Sequence, residues 1–298
     1  MNIKTYLSEQ RAVVESALER FMLPAEGPFK PHIEAMRYSL FAGGKRVRPI
    51  LCLAAGSAID DSRQTYENLM PVSCALECIH TYSLIHDDLP AMDDDELRRG
   101  KPTNHVLYGE AGAILAGDGL LTFAFQLLSD DTTATLEPTS RLRIMSLIAT
   151  AAGSLGMVGG QSLDIASENT EFPFETLKTI HRSKTGALIT CSVQAGAVAA
   201  GANQEQFSRL TEYGDNVGLA FQIVDDLLNA TATTEQLGKA AGSDVVRGKA
   251  TYPGYFGIEE TRRLAQEAVD RAIASLSSFD AKAEPLRAIA EYIYTRSN

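Results

Sequence analysis

The sequence contains no tryptophan, few aromatic residues and few cysteines. Aromatic residues make up 7% of its 298 positions, and no two of the four cysteines are spaced as CxxC. A zinc site built on cysteine is therefore not expected. We expect Cys52, Cys74, Cys78 and Cys191 to be buried free thiols.

The chain also lacks an excess of positive charge and a long hydrophobic run. Its net charge of −11 argues against nucleic-acid binding. The N-terminus has no apolar block typical of a signal peptide. The most apolar stretch, 186–202, is too short and too weakly apolar for a membrane span, so it predicts a helix buried on all sides. We expect a cytoplasmic protein without an integral membrane segment.

Strand signals are scarce, whereas apolar residues recur at helical spacing along most of the chain. No linker or low-complexity segment divides the sequence. The prediction is one all-α domain over residues 1–298, with roughly ten helices. A first helix should run from Pro31 to the glycines at 43–44. The others are predicted at 48–58, 68–89, 110–128, 138–156, 174–200, 204–230, 256–276 and 284–296.

Acidic and basic residues are concentrated in the segment 80–105. Such a cluster is poor core material, but it suits divalent cations held between carboxylates and an anionic substrate. Mg²⁺ prefers oxygen ligands and is commonly bound by one or two carboxylates together with substrate phosphates. Neighbouring bases can bind the same phosphates. The cluster comprises Asp87, Asp88, Asp93, Asp94, Asp95, Glu96, Arg98, Arg99 and Lys101.

Helical geometry places His80, Ser83 and Asp87 on one face, because they are three and seven residues apart. On a continuous helix, Asp93 would point away from Asp87. Pro90 breaks the helix, since proline removes a backbone donor and disfavours helical geometry in the preceding residue. We therefore expect a loop that returns Asp93 toward Asp87.

A second apolar helix also ends in an acidic pair, FQIVDD at 221–226. Gln222, Asp225 or Asp226, and Asn229 share one face, and the two acidic helix ends could face each other across a cavity. A solvated acidic helix end is the alternative. Bases in glycine-punctuated contexts offer further anion contacts: Lys45, Arg46 and Arg48, Lys184, Lys239 and Lys249.

In these motifs the chain resembles the trans-prenyl diphosphate synthases, and most of all bacterial short-chain farnesyl diphosphate synthases. The resemblance covers nearly the whole chain, and the segment 80–105 is its most specific part. It implies a large α-helical bundle around a central cavity, the isoprenoid synthase fold, and a homodimer. The matching pieces are GGKRVRP at 43–49, the segment 80–105, GEAGAILAGD at 109–118, Lys184-Thr185-Gly186, FQIVDD at 221–226, LGK at 237–239 and GKATYP at 248–253.

The resemblance also implies roles for individual residues. Two aspartate-rich motifs would hold three Mg²⁺ ions on an allylic diphosphate, namely Asp87, Asp88 and Asp93 with Asp225 and Asp226. Bases matching the allylic diphosphate site are Arg98, Lys184 and Lys239. Those matching the isopentenyl diphosphate site are Lys45, Arg48, His80 and Arg99. Thr185, Gln222 and Lys249 match further active-site positions.

The implied activity joins dimethylallyl or geranyl diphosphate to isopentenyl diphosphate. We expect farnesyl diphosphate as the product, because Tyr82, beside Ser83 and one turn before Asp87, would form the floor of the cavity. An ordinary core role for Tyr82 is the alternative. Geranyl or geranylgeranyl diphosphate synthesis also remains open.

One position departs from the family pattern. The second motif ordinarily reads DDxxD, and here Asn229 replaces the last aspartate. An amide oxygen can bind Mg²⁺ but adds no charge, so a non-catalytic partner subunit is one competing hypothesis. A terpene cyclase is another, although it needs no second diphosphate site. A plain helical scaffold would leave the clustered charges unexplained.

Overall fold

The computed structural model describes residues 1–168, 170, 172–231 and 250–295. Within them the chain is almost entirely helical, so the all-α prediction is confirmed. The only strands described are Leu97–Arg98 and Lys101–Pro102, which pair antiparallel. The helices are α1 Ile3–Phe21, α2 Lys30–Leu40, α3 Val47–Ser57, α4 Arg63–Asp87, α5 Asn104–Ser129, α6 Pro138–Ala152, α7 Met157–Ala166, α8 Phe174–Ile180, α9 Ala187–Ala199, α10 Gln204–Thr231, α11 Tyr252–Phe256, α12 Ile258–Ser275 and α13 Glu284–Thr295.

Helix α4 runs through the centre of the bundle. Its 25 residues are buried along most of their length and pack against α3, α5 and α9. Ser62 caps its N-terminus by accepting a hydrogen bond from the Thr65 amide. At its other end, the predicted break is confirmed, because the helix stops at Asp87, ahead of Pro90. The first acidic cluster therefore begins where a buried helix emerges from the core.

Helix α9 is buried on almost every side, as its run of small apolar residues predicts. Gly196 permits this packing, because a Cβ there would lie 2.2 Å from the carbonyl oxygen of Cys52. All four cysteines are buried free thiols, which confirms that expectation. Burial raises the pKa of Cys52 to about 12, so this thiol is inert as a nucleophile.

Two predicted helices differ from the structure. The predicted helix 138–156 ends at Ala152, and α7, at Met157–Ala166, falls where no helix was predicted. The predicted helix 174–200 is interrupted by a π-helical segment, His181–Gly186. An extra residue in one turn changes which side chains share a face. The segment 181–186 therefore presents Lys184 and Thr185 to the interior.

Two stretches, 104–129 and 138–166, are long and apolar enough to cross a membrane by length and composition alone. The second is broken into α6 and α7, each shorter than the roughly 20 residues that a span requires. The first, α5, packs along α4 and contributes to the core. Both therefore fit helices of the bundle that leave one apolar face exposed.

Candidate active site

One face of α4 lines a cavity of about 500 Å³. His80, Ser83 and Asp87 all contribute to its wall, which confirms the helical spacing expected of them. Tyr82 lines the same cavity and is otherwise buried. The chemistry-bearing face of α4 thus continues directly into an apolar interior.

The loop after α4 folds back as the sequence predicts. The Asp93 amide donates a hydrogen bond of 2.8 Å to the carbonyl oxygen of Asp87. Asp94, the next residue, adopts left-handed geometry with φ of 52°. Burial raises the pKa of Asp87 to about 6; Lys184 opposes this rise and Asp93 adds to it. Two carboxylates held together at a partly buried site are electrostatically costly until a cation joins them.

The Asp88 side chain points away from the 500 Å³ cavity. Its carboxylate is almost fully buried and accepts two hydrogen bonds from Arg98 Nε, at 2.8 and 2.9 Å. Burial raises the pKa of Asp88, and the Arg98 bonds offset part of that rise. These two residues line a small neighbouring groove with Arg99, and not the 500 Å³ cavity. The base predicted for the allylic diphosphate, Arg98, is thus bonded to the middle aspartate of the motif.

The residues predicted to bind a second diphosphate lie around the turn between α2 and α3. Arg48 and His80 line the cavity, whereas Lys45 is exposed. The Arg99 guanidinium donates to the carbonyl oxygen of Gly43 in the same turn. Burial and the surrounding arginines hold the pKa of His80 well below its usual value, so the imidazole is neutral at pH 7. A neutral imidazole can donate a hydrogen bond there without adding a buried charge.

Lys184 and Thr185 reach the cavity from the π-helical segment. Lys184 Nζ donates to Asp164 of α7 at 2.7 Å. Gly160 allows α7 to approach this closely, because a Cβ there would lie 2.3 Å from the Lys184 amide nitrogen. Asp164 and Gly160 were missed in the sequence, where they lie twenty or more residues from Lys184 and form no local pattern. Gln161, also missed, lines the cavity beside them.

The second acidic cluster occupies the C-terminal part of α10. Asp225 is exposed, whereas Asp226 and Asn229 are buried. Asp226 accepts a 2.9 Å hydrogen bond from the Tyr252 amide, and its other oxygen lies 3.8 Å from His181 Nε2. Burial lowers the pKa of His181 to about 4, so this contact is with a neutral ring at pH 7. Asp226 thus anchors α11 to α10.

Of the remaining predicted residues, one lies away from this cavity and two lie outside the described residues. Gln222 is half-buried on α10, and its side chain is not among those lining the 500 Å³ cavity. Lys239 and Lys249 lie outside the described residues. Apolar residues complete the wall in a way that the sequence did not reveal; they are Leu84, Met92, Met157, Val158 and Ile165.

The donor set fits Mg²⁺ better than a metal held by protein alone. Among the described residues, no three His, Cys, Asp or Glu side chains converge on one point. The candidate donors are carboxylate oxygens, with Asp87 at the end of α4, Asp93 on the loop that follows and Asp225 on α10. Hard oxygen ligands in small number are typical of Mg²⁺ sites that substrate phosphates complete.

Comparison with known proteins places this geometry in a family. The profile of the polyprenyl synthetase family matches residues 30–291. The chain is 46% identical over 298 residues to a geranylgeranyl diphosphate synthase of Cyanophora paradoxa, covering 100% of this chain and 97% of the relative. It is 44% identical over 298 residues to a farnesyl diphosphate synthase of Geobacillus stearothermophilus, covering 100% and 99%.

A solved structure agrees. The apo crystal structure of an FPP/GFPP synthase from Zymomonas mobilis matches with a TM-score of 0.87 at 39% identity, covering 98% of this chain and 99% of that one. The all-α bundle is therefore the isoprenoid synthase fold. This chain belongs to the polyprenyl synthetase family, whose members act on isopentenyl and allylic diphosphates, and it is a trans-prenyl diphosphate synthase.

Proposed function

We propose that this enzyme makes farnesyl diphosphate, by adding isopentenyl diphosphate to dimethylallyl and then to geranyl diphosphate with Mg²⁺ as cofactor. The observation that carries the proposal is the cavity itself. It joins Asp87 and Lys184 to Arg48 and His80, and then continues along an apolar wall. Such a cavity suits two diphosphates at its mouth and a hydrocarbon chain in its depth.

The reaction forms one carbon–carbon bond. The C1–O bond of the allylic diphosphate ionises, and the alkene of isopentenyl diphosphate attacks C1. A proton then leaves the new chain, and the released pyrophosphate accepts it. Bound Mg²⁺ would neutralise charge on the departing pyrophosphate, with Asp87, Asp93 and Asp225 as the residues that hold it.

The protein's other side chains bind, orient and exclude water. Lys184 supplies a cation at the allylic site, and its bond to Asp164 fixes its direction. Arg48 and neutral His80 hold the second diphosphate. Met157, Val158 and Ile165 line the apolar part, which would keep water from the carbocation.

We assign the chain-length limit to Tyr82. Its ring lies edge-on against His86, with ring centroids 5.7 Å apart, and both side chains line the cavity. Gly117 of α5 lets His86 pack closely, because a Cβ there would lie 2.2 Å from His86 Nε2. Tyr82→Ala should shift the product toward geranylgeranyl diphosphate. Tyr66→Ala, on the same helix but away from the cavity, should leave product length unchanged.

A second copy of the chain is the proposed partner. Exposed apolar side chains follow one another on α5, α6 and the turn before α7: Ile114, Leu115, Leu142 and Leu155. Scattered exposed apolar residues are normal, but a run along adjacent helices is typical of an interface. Light scattering should give the dimer mass, and Ile114→Lys with Leu115→Glu should reduce it to the monomer mass.

Product analysis tests the proposal. Purified protein with Mg²⁺, isopentenyl diphosphate and dimethylallyl diphosphate should yield farnesyl diphosphate. Geranylgeranyl diphosphate as the main product would refute the chain length. A cyclase would instead convert geranyl or farnesyl diphosphate alone to a hydrocarbon. A non-catalytic subunit would give no product at any Mg²⁺ concentration.

A further inference from the structure

A buried ion pair lies beneath the residues assigned to the second diphosphate. Arg46 Nη1 donates to Glu77 Oε1 at 2.6 Å, and both side chains are almost completely buried. Arg46 Nη2 donates to the carbonyl oxygen of Leu40 at 2.7 Å. Arg46 therefore faces the interior, unlike the exposed Lys45 before it.

The pair fixes an unusual turn. Arg46 adopts left-handed geometry with φ of 51°, which is costly for a residue with a bulky side chain. Its bonds to Glu77 and Leu40 join this turn to α4 and to the end of α2. With the guanidinium held inward, the next residues start α3 in a direction that brings Arg48 to the cavity wall.

The position of a third base, Arg99, depends on the same turn. The Arg99 guanidinium packs on the backbone at 43–44, where a Cβ on Gly44 would lie 2.6 Å from Arg99 Nη1. Arg99 is thus in place only when the turn is in place. Glu77 also acts on both flanking arginines through its charge, since it raises the pKa of Arg48 and of Arg99 against the lowering effect of burial.

Two buried polar atoms indicate that Glu77 does more than pair with Arg46. Glu77 Oε2 and Arg48 Nε have no hydrogen-bond partner among the residues the structure describes. Glu77 lies one turn before His80 on α4, on the side of the helix that meets this basic group. Glu77 is thus the buried carboxylate that interacts with Arg46, Arg48 and Arg99.

We propose that Glu77 is a positioning residue for isopentenyl diphosphate: through Arg46 it fixes the turn that directs Arg48 and Arg99 toward this substrate. The inference rests on the proposed function, and it assigns Glu77 no contact with substrate. Its effect should fall on one of the two diphosphates, because Lys184 reaches the cavity from the π-helical segment and Asp87 lies ten residues further along α4.

The sign of the effect distinguishes this role from simple electrostatics. Removing a negative charge beside an anion site should tighten anion binding if charge alone mattered. Removing the Glu77 carboxylate, which holds Arg46 and thereby orients the turn, should instead weaken anion binding. We expect Glu77→Gln to raise the KM for isopentenyl diphosphate about tenfold, with the KM for geranyl diphosphate within about twofold of wild type.

Glu67→Gln is the matched control, because Glu67 lies on α4 but is exposed and bonded to Arg63. It should leave both KM values unchanged. An unchanged or lowered KM for isopentenyl diphosphate in Glu77→Gln would overturn the proposal. A parallel rise in both KM values would do the same, since it would indicate general damage.

A second variant tests the proposal if Glu77→Gln does not fold. Replacing both members, as Arg46→Met with Glu77→Leu, removes both charges of the 2.6 Å ion pair together, and such exchanges are often tolerated. This protein should fold yet bind isopentenyl diphosphate about tenfold more weakly by calorimetry; wild-type affinity would reject the positioning role. Calorimetry needs no turnover, so a wild-type protein that binds isopentenyl diphosphate but makes no product would count against the proposed function alone.

Discussion

The backbone of Asp93 is bonded to the backbone of Asp87, six residues earlier, by a 2.8 Å hydrogen bond from amide to carbonyl. This bond closes the loop that follows α4 and brings the outer two aspartates of the motif together. Their convergence is thus set by main-chain geometry. The bond uses backbone atoms of both residues and neither carboxylate.

Asp87→Asn should abolish most of the activity. The substitution preserves size but removes the charge that would hold Mg²⁺ and thereby the allylic diphosphate. We expect kcat to fall by at least roughly 10³-fold. Asp94→Asn is the control, because Asp94 is exposed and asparagine tolerates its left-handed geometry. Steady-state assays at saturating Mg²⁺ make the comparison, and near-normal turnover in Asp87→Asn would contradict the site assignment.

Asp87 should also make stability depend on pH when no divalent cation is present. Its folded pKa is about 6 because of burial, whereas in the unfolded chain it is about 3.9. Between these values the folded protein binds the proton more tightly. The free energy of unfolding should therefore fall as pH rises from about 4 to about 6, by about 3 kcal/mol from this group.

Urea unfolding in EDTA across that range tests the linkage. Other groups also titrate there, so the informative quantity is the difference between wild type and Asp87→Asn. The variant should be nearly as stable as wild type at low pH and more stable at pH 7. Stability curves that run parallel across the whole range would show that Asp87 has an ordinary pKa.

Gly160→Ala should disturb the allylic site from a distance. The added Cβ would lie 2.3 Å from a backbone nitrogen and 2.7 Å from the Cα of Lys184, so α7 and the π-helical segment must separate. We expect a loss of about 1–3 kcal/mol in unfolding free energy and a raised KM for geranyl diphosphate. Gly254→Ala, whose nearest contact would be 3.4 Å, is the control and should change neither quantity appreciably.

Asn229→Asp should lower the Mg²⁺ requirement. Asn229 is buried one turn after Asp225, and a carboxylate there would add a charge to the cation site. The Mg²⁺ concentration at half-maximal rate should fall about two- to fivefold. Without Mg²⁺ the same variant should unfold more easily than wild type, because the new charge is buried. Superimposable Mg²⁺ titrations would show that this residue does not act on the metal.

Much of α4 and its cluster could be predicted from sequence, for local reasons. Helical spacing places His80, Ser83 and Asp87 together, and Pro90 forces the end of the helix. Both effects depend on residues within a few turns of one another. The same holds for the buried helix α9, whose composition leaves few alternatives.

Other parts of the site depend on contacts between distant segments. The π-helical segment 181–186 exists where α7 packs against it, and its bulge has no signature in apolar spacing. The bond from Lys184 to Asp164 joins residues twenty positions apart. Asp88 and Asp226 belong to recognisable motifs, but only the fold shows that each is already bonded, to Arg98 and to the Tyr252 amide.

Helix α4 carries the counter-charge Glu77, the proposed cavity floor Tyr82 and the proposed cation ligand Asp87 within ten residues, about 15 Å of helix. Each task is on a separate turn, so a substitution at one need not damage the next. If Tyr82 has the proposed role, a change at that single position would alter product length while the chemistry stays the same. Synthases named for different products, at 46% and 44% identity to this chain, are what such a modular helix permits.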